Sequence, residues 1–189
     1  TLRSRGLGDV YKRQLAEGMT RYLDQFDLSS AHINFLPETD TGALAAQGWM
    51  IRSSIQFHWR NGGYDSFDGF LDALSSRKRK NIRKERRTVA ESGVRLLRLT
   101  GDDLTAAHID DFYRFYMSTI DRKWGGAYLT SEVFHILRQT MADRMLLVMA
   151  EYDGRIIGGA LNFIGEDTLY GRNWGADLDI PCLHFEACY

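Results

Sequence analysis

The sequence predicts an α/β protein, and three observations carry that reading. Segments with apolar residues every three or four positions alternate with segments of two-residue period. Asp153-Gly154, set between two apolar runs, is the signature of a two-residue hairpin. With 44% hydrophobic residues and only two prolines among 189, the chain has the apolar surface to close a core and is not a disordered polymer.

Residues 4–14, Ser-Arg-Gly-Leu-Gly-Asp-Val-Tyr-Lys-Arg-Gln, back-translate into a transposase-type sequencing adaptor read through in frame. Residues 1–14 are therefore expected to be an adaptor-derived leader and are set aside. The natural sequence is then expected to begin near Leu15 and the chain to be a fragment. A helix follows over 15–27, with Leu15, Met19, Tyr22, Leu23 and Phe26 at helical spacing. Alternation predicts a strand over 31–36, stopped by Pro37. Next come a short helix over 41–47 ended by Gly48, and a long strand over 49–59 with Ile51, Ile55, Phe57 and Trp59 on one side. Asn61-Gly62-Gly63 breaks that strand, and a helix over 65–74 follows.

Residues 75–94 hold the most unusual stretch. Ser75-Ser76 suits a helix N-cap, Gly93 suits the left-handed position beyond a helix end, and no proline or glycine intervenes. Eight basic residues lie between them, with a narrow apolar seam of Leu74, Ile82, Val89 and Ala90. The run reads either as a solvated face or as an anion-binding surface. After Gly93 the pattern gives a strand over 94–99 and an aromatic-rich helix over 105–120 with Ile109, Phe112, Tyr113, Tyr116 and Ile120 inward. Asp102-Asp103 reads as the cap of that helix. A loop over 122–128, a helix over 131–142, strands over 145–152, 156–164 and 168–174, a loop over 177–181 and a helix from Leu183 complete the order.

The full chain has 24 basic and 25 acidic residues, a formal charge of −1; without Arg3, Arg5, Asp9, Lys12 and Arg13 it has 20 and 24, or −4. The chain is mildly acidic overall, so the basic helix is local polarity and not the mark of a generally cationic protein. No apolar run approaches the length of a membrane span. Cys182 and Cys188 give no disulfide framework and point to a reducing cytoplasm. With His184 they lack the spacing of a zinc site, so no metal is expected. His32, His58, His108 and His135 are scattered and read as ordinary.

Segment order after Gly93 is similar to the opening half of the GNAT acetyltransferase fold, and the order before Asn61 to its closing half, with Gly48-Trp49 at a glycine-aromatic position of that fold. Together with the 76–84 basic run, Arg122-Lys123-Trp124-Gly125, the 169–175 stretch Leu-Tyr-Gly-Arg-Asn-Trp-Gly and Pro181-Cys182-Leu183-His184-Phe185-Glu186, this resembles the FemAB-like family across 15–189. The resemblance implies tandem GNAT folds with mixed sheets, both incomplete. The closing part of the first would be 15–64, a helical junction with the basic helix 65–93, and the opening part of the second 94–189. It implies acyl or aminoacyl transfer to an amine such as a cell-wall precursor, with the group drawn from aminoacyl-tRNA or, as in ordinary GNAT enzymes, from acetyl-CoA. The loop 175–181 carries Asp177, Asp179 and Pro181 where pyrophosphate would need amide donors, which disfavours coenzyme A in this second domain.

Carried onto this sequence, the resemblance offers Glu186 or His184 as the general base for the attacking amine. One residue apart, the two point to different sides of a helix. Arg77, Arg79, Lys80, Arg83 and Lys84, with Lys78, would clamp a polyanionic donor. Arg122, Lys123, Trp124 and Tyr128 would border the acceptor cleft, and Arg172 and Trp174 would stand at the central strand end. No elbow-type serine or Cys-His pair suggests a covalent intermediate, and no permanently bound cofactor or stable protein partner is expected. Two further readings stand: an acetyl-CoA-dependent N-acetyltransferase, and a non-catalytic module gripping RNA or an anionic surface through the basic helix. Incomplete sheets leave unpaired edges, so the piece by itself is expected to be poorly soluble and inactive.

Overall fold

The chain divides into two units, residues 1–62 and 63–189, and the computed structural model describes residues 2–122 and 125–189. In the first unit helix α1 (Leu2–Gln25) packs against α2 (Glu38–Ala45). Ala16 and Leu44 are buried there, and Lys12 Nζ stands 2.6 Å from Asp40 Oδ1. Lys12, and then the Thr39 hydroxyl, hold the Asp40 carboxyl below the usual carboxylate range.

The second unit runs α3 (Phe67–Asp72), α4 (Ser76–Glu91), β1 (Arg95–Leu99), α5 (Ala106–Arg122), α6 (Ser131–Met141), β2 (Met145–Tyr152), β3 (Arg155–Ile164), β4 (Leu169–Ala176) and α7 (Leu183–Cys188). Its sheet has the order β1-β2-β3-β4, antiparallel throughout. Alternate strand residues look to opposite faces. On one face Leu97, Leu147, Met149 and Leu161 meet Ile109, Phe112, Phe115 and Tyr116 of α5 and Phe134 of α6. On the other, Leu96, Val148, Ala150, Ile157 and Ala160 meet Val89 of α4 and Leu183 and Ala187 of α7. Helices thus cover both faces, and each buries its apolar stripe against the sheet.

Two irregularities shape the sheet. Ala150 faces Gly158 while Glu151 faces Ile156, so Ile157 is an extra residue on β3. Leu161 faces Asn173 while Asn162 faces Gly171, which makes Arg172 the extra residue on β4 and re-aims it. Helix α5 lies hard against β4. The Thr119 hydroxyl donates to the Trp174 carbonyl at 3.1 Å, and a Cβ on Gly175 would stand 2.2 Å from the Phe115 carbonyl oxygen.

Tyr116 sits in the α5 core with its hydroxyl buried and unpartnered among the described residues. An orphaned buried hydroxyl carries a desolvation cost with no bond to offset it. Tyr116→Phe is therefore expected to leave stability unchanged or raise it by about 1 kcal/mol, read from the urea midpoint. A loss of comparable size would show that the hydroxyl is bonded.

Several expectations need correction. No strand forms over 31–36 or 49–59; Met50, Ile55 and Phe57 are 96%, 84% and 91% exposed. Alternation describes side chains, whereas a strand needs a neighbouring strand for its backbone groups, and neither segment is paired with one among the described residues. Helix α1 begins at Leu2 rather than at 15. The 65–74 helix shortens to Phe67–Asp72, because the Ser66 hydroxyl accepts the Gly69 amide at 3.1 Å and sets its start. The cap of α5 is Thr105, not Asp102-Asp103: its hydroxyl accepts the His108 amide at 3.3 Å, and His108 Nδ1 accepts the Thr105 amide at 3.2 Å. Asp102 and Asp103 form a separate 3-10 turn. The sheet is antiparallel rather than mixed, since hairpins join β2, β3 and β4 and the two-helix return brings β2 back against β1 in the opposite sense.

Candidate functional site

Helix α4 carries the strongest charge feature. Its N-cap is Ser75, and Gly93, at φ 81, takes the left-handed conformation beyond its end. Of the seam residues Val89 is buried and Ile82 half-buried, but Ala90 is exposed on a cleft. At about 100° per residue, Arg79, Arg83 and Arg86 fall on one side of the helix beside the seam. Each has an acidic partner. Arg79 Nη1 lies 2.6 Å from Asp72, Arg83 Nη2 lies 3.4 Å from Asp68, and Arg86 Nε donates to both Glu186 oxygens at 3.1 Å. The Arg86 guanidinium also lies 4.3 Å from the Phe67 ring centre, which ties α3, α4 and α7 together.

Arg77, Lys80 and Lys84, at i, i+3 and i+7, fall on the outer side and have no ion pair among the described residues. Lys78 is likewise exposed and without one. The structure therefore splits the predicted clamp. Arg79 and Arg83 are engaged by α3, while Arg77, Lys80 and Lys84 remain available to an external anion. Sequence could not separate them, because the partners of Arg79 and Arg83 depend on how α3 folds back.

Between α3, α4, β1 and α7 lies an open cleft of about 640 Å³. Phe67, Leu71 and Leu96 contribute apolar wall, and Arg83, Arg86, Arg87 and Arg98 contribute guanidinium groups. Sequence reasoning did not single out Arg87 or Arg98. Arg98 shares a strand face with Leu96, a signal that acquires meaning only once α4 is packed on that face.

Glu186 and His184 are not brought together. Both Glu186 oxygens face Arg86, whereas the His184 ring lies 5.5 Å from that of Trp174 and 5.4 Å from that of Phe185. Trp174 is half-buried against the α7 side of the sheet. Arg172, re-aimed by the β4 bulge, donates to the Tyr128 hydroxyl, so these two predicted residues do meet. Arg122 bonds to the Ser118 carbonyl at 3.1 Å and reaches the Ala176 carbonyl at 3.4 Å, fastening the end of α5 to β4. Lys123 and Trp124 lie outside the described residues.

In the loop after β4, Asp177 pairs with Arg114 Nε at 3.1 Å and its amide donates to the Ile157 carbonyl at 2.8 Å. Cys182 adopts φ 67 just before α7. Burial pushes the Cys188 thiol up to about 11, so it stays protonated and a poor nucleophile at neutral pH. The histidines have local roles: His108 in the α5 cap, and His135 with Nε2 2.9 Å from Asp110 Oδ1. His32 lies 3.1 Å from the Ser30 hydroxyl and His58 3.3 Å from Gln56. Among the described residues no three His, Cys, Asp or Glu side chains gather as a metal site, and no helix is long and apolar enough to cross a membrane.

Compared with known families, the chain matches the FemAB-like family, described as peptidoglycan biosynthesis/recognition, over residues 4–189. No curated protein matches it.

Proposed function

The chain belongs to the FemAB-like family of peptidoglycan biosynthesis/recognition, and from that premise we propose that it serves acyl or aminoacyl transfer to an amine acceptor on a cell-wall precursor, in the cytoplasm. The family match over residues 4–189 carries this reading. The second unit lends support through its order of strand, two helices, three strands and helix, the order expected for the opening half of a GNAT fold. We read residues 94–189 as that half, 65–93 as the junction, and residues 15–64 as belonging to a first domain of the same kind.

In this reading the outer face of α4, Arg77, Lys80 and Lys84, holds the phosphates of an aminoacyl-tRNA donor. Arg172 and Tyr128 border the acceptor, Arg122 and Trp174 are assigned to the same site, and Lys123 and Trp124 join them on the family resemblance alone. His184 is the residue left to take the proton of the attacking amine, because Glu186 is engaged by Arg86. The protein's own contribution is positioning and proton removal. Acetyl-CoA is a weaker fit to the loop after β4, where Pro181 lacks an amide donor and Asp179 adds negative charge. The unpaired face of α4 also favours a second reading, a module that grips polyanions without turnover.

Calorimetric titration of the full-length protein with aminoacylated tRNA, uncharged tRNA and acetyl-CoA at two salt concentrations separates these readings. Preference for the aminoacylated species, with transfer to an amine, is the expected result. Tight saturable acetyl-CoA binding would sink the aminoacyl-tRNA assignment. Equal salt-labile binding of every polyanion without transfer would leave the binding module.

A further inference from the structure

The cleft between α3, α4, β1 and α7 has a charge balance that its own residues leave open. Its lining holds four guanidinium groups, from Arg83, Arg86, Arg87 and Arg98, and two carboxylates, from Asp68 and Glu186. Those carboxylates are already taken, Asp68 by Arg83 at 3.4 Å and Glu186 by Arg86 at 3.0–3.1 Å. Arg87 and Arg98 come from different elements, α4 and β1, yet line one cleft and have no acidic partner among the described residues. Two positive charges are left over.

The rest of the wall is apolar. Phe67 presents its ring, held from one side by Arg86 at 4.3 Å, and Leu96 lies beneath. Guanidinium groups bind phosphate and carboxylate through paired N–H donors, and an apolar wall rewards a ligand with hydrocarbon attached. A single carboxylate would answer only one of the two free charges, whereas a phosphate monoester brings nearly two.

We propose that this cleft binds a small phosphate monoester with an apolar body, its phosphate between Arg87 and Arg98 and its body against Phe67 and Leu96. Arg87, at i+3 from Lys84, stands where the cleft borders the outer face of Arg77, Lys80 and Lys84, while Arg98, Phe67 and Leu96 belong to other elements. The proposal concerns a small ligand and needs neither tRNA nor a transfer step.

The test is calorimetric titration of the full chain with phenyl phosphate, inorganic phosphate and phenol. Phenyl phosphate is expected to bind saturably at one site, roughly tenfold or more tighter than inorganic phosphate, because only it uses both parts of the cleft. Arg87→Ala and Arg98→Ala are each expected to weaken it by roughly tenfold, while Arg155→Ala, exposed at the start of β3 and outside the cleft, leaves it unchanged. Circular dichroism reports whether each variant is folded. Arg87→Ala, on the solvent side of a helix, keeps the test available if the edge-strand variant Arg98→Ala does not fold. Equal affinity for phenyl and inorganic phosphate, equal loss in Arg155→Ala, or no saturable binding would each overturn the proposal.

Discussion

Gly175→Ala is expected to destabilise the second unit by about 3–5 kcal/mol, the range reserved for severe core disruption. A Cβ there would meet the Phe115 carbonyl oxygen at 2.2 Å, its carbonyl carbon at 2.6 Å and its Cβ at 2.9 Å. Two of these are backbone atoms in the middle of α5, so no rotamer change relieves the overlap. The helix must back away from β4, which loosens the Thr119–Trp174 bond and the packing of Phe112 and Phe115 at the centre of the core. Gly159 offers a comparison within the same sheet. Its added Cβ would meet Met149 Sδ at 2.8 Å, the end of a flexible side chain that can move. Gly171 is the control, since an added Cβ there touches only Asn162 Oδ1 at 3.5 Å. Urea unfolding followed by circular dichroism should rank the three Ala variants with 175 worst, 159 intermediate and 171 near wild type. A Gly175→Ala protein as stable as Gly171→Ala would show that α5 does not press on β4 as described.

The triple variant Arg77→Ala/Lys80→Ala/Lys84→Ala is expected to lose about a hundredfold in tRNA affinity near 0.1 M salt. Each phosphate neutralised contributes a salt slope of about −0.7 to −0.9 through counterion release, so three contacts account for about two to three units of slope. The comparison variant is Arg79→Ala/Arg83→Ala, whose side chains are engaged by Asp72 and Asp68. It is expected to move the slope far less, because freeing two carboxylates beside the helix acts only at a distance and is screened. Measuring log K against log salt for both variants decides the matter. Equal slopes in the two would mean that the helix contributes only diffuse charge, with no distinction between its faces.

Much of the second unit was legible in the sequence because its signals are local. Asp153-Gly154 gives the hairpin its two positive φ angles, 48 and 71, and the strands around it alternate as expected. Ser75 and Gly93 bracket α4, the first as its N-cap and the second just after its C-cap Ser92. The misplaced caps at Ser66 and Thr105 are local errors, but the larger failures are matters of partners distant in the sequence. The 49–59 segment has the pattern of a strand but is paired with no other strand among the described residues. The charge run on α4 looked uniform, yet its two faces differ because Asp72, Asp68 and Glu186, which lie 7, 15 and 100 positions from their arginines, select one face only. Glu186 read as a free base for the same reason. Arg87 and Arg98 come to line one cleft only through the packing of a helix on a strand.

The antiparallel meander has a kinetic consequence. Strands β2, β3 and β4 are joined by short turns, so their pairing closes small loops at little entropic cost. Strand β1 reaches β2 only after two helices, with Arg95 opposite Glu151, 56 positions along the chain. The three-stranded part can therefore assemble before β1 docks, since distant closures are the slow ones. During that interval β2 is an open edge, and Leu147 and Met149 lack the cover of Leu97 and Leu99. The moment at which this chain is most exposed to self-association thus belongs to its folding pathway, in the delay before the first strand returns to its place.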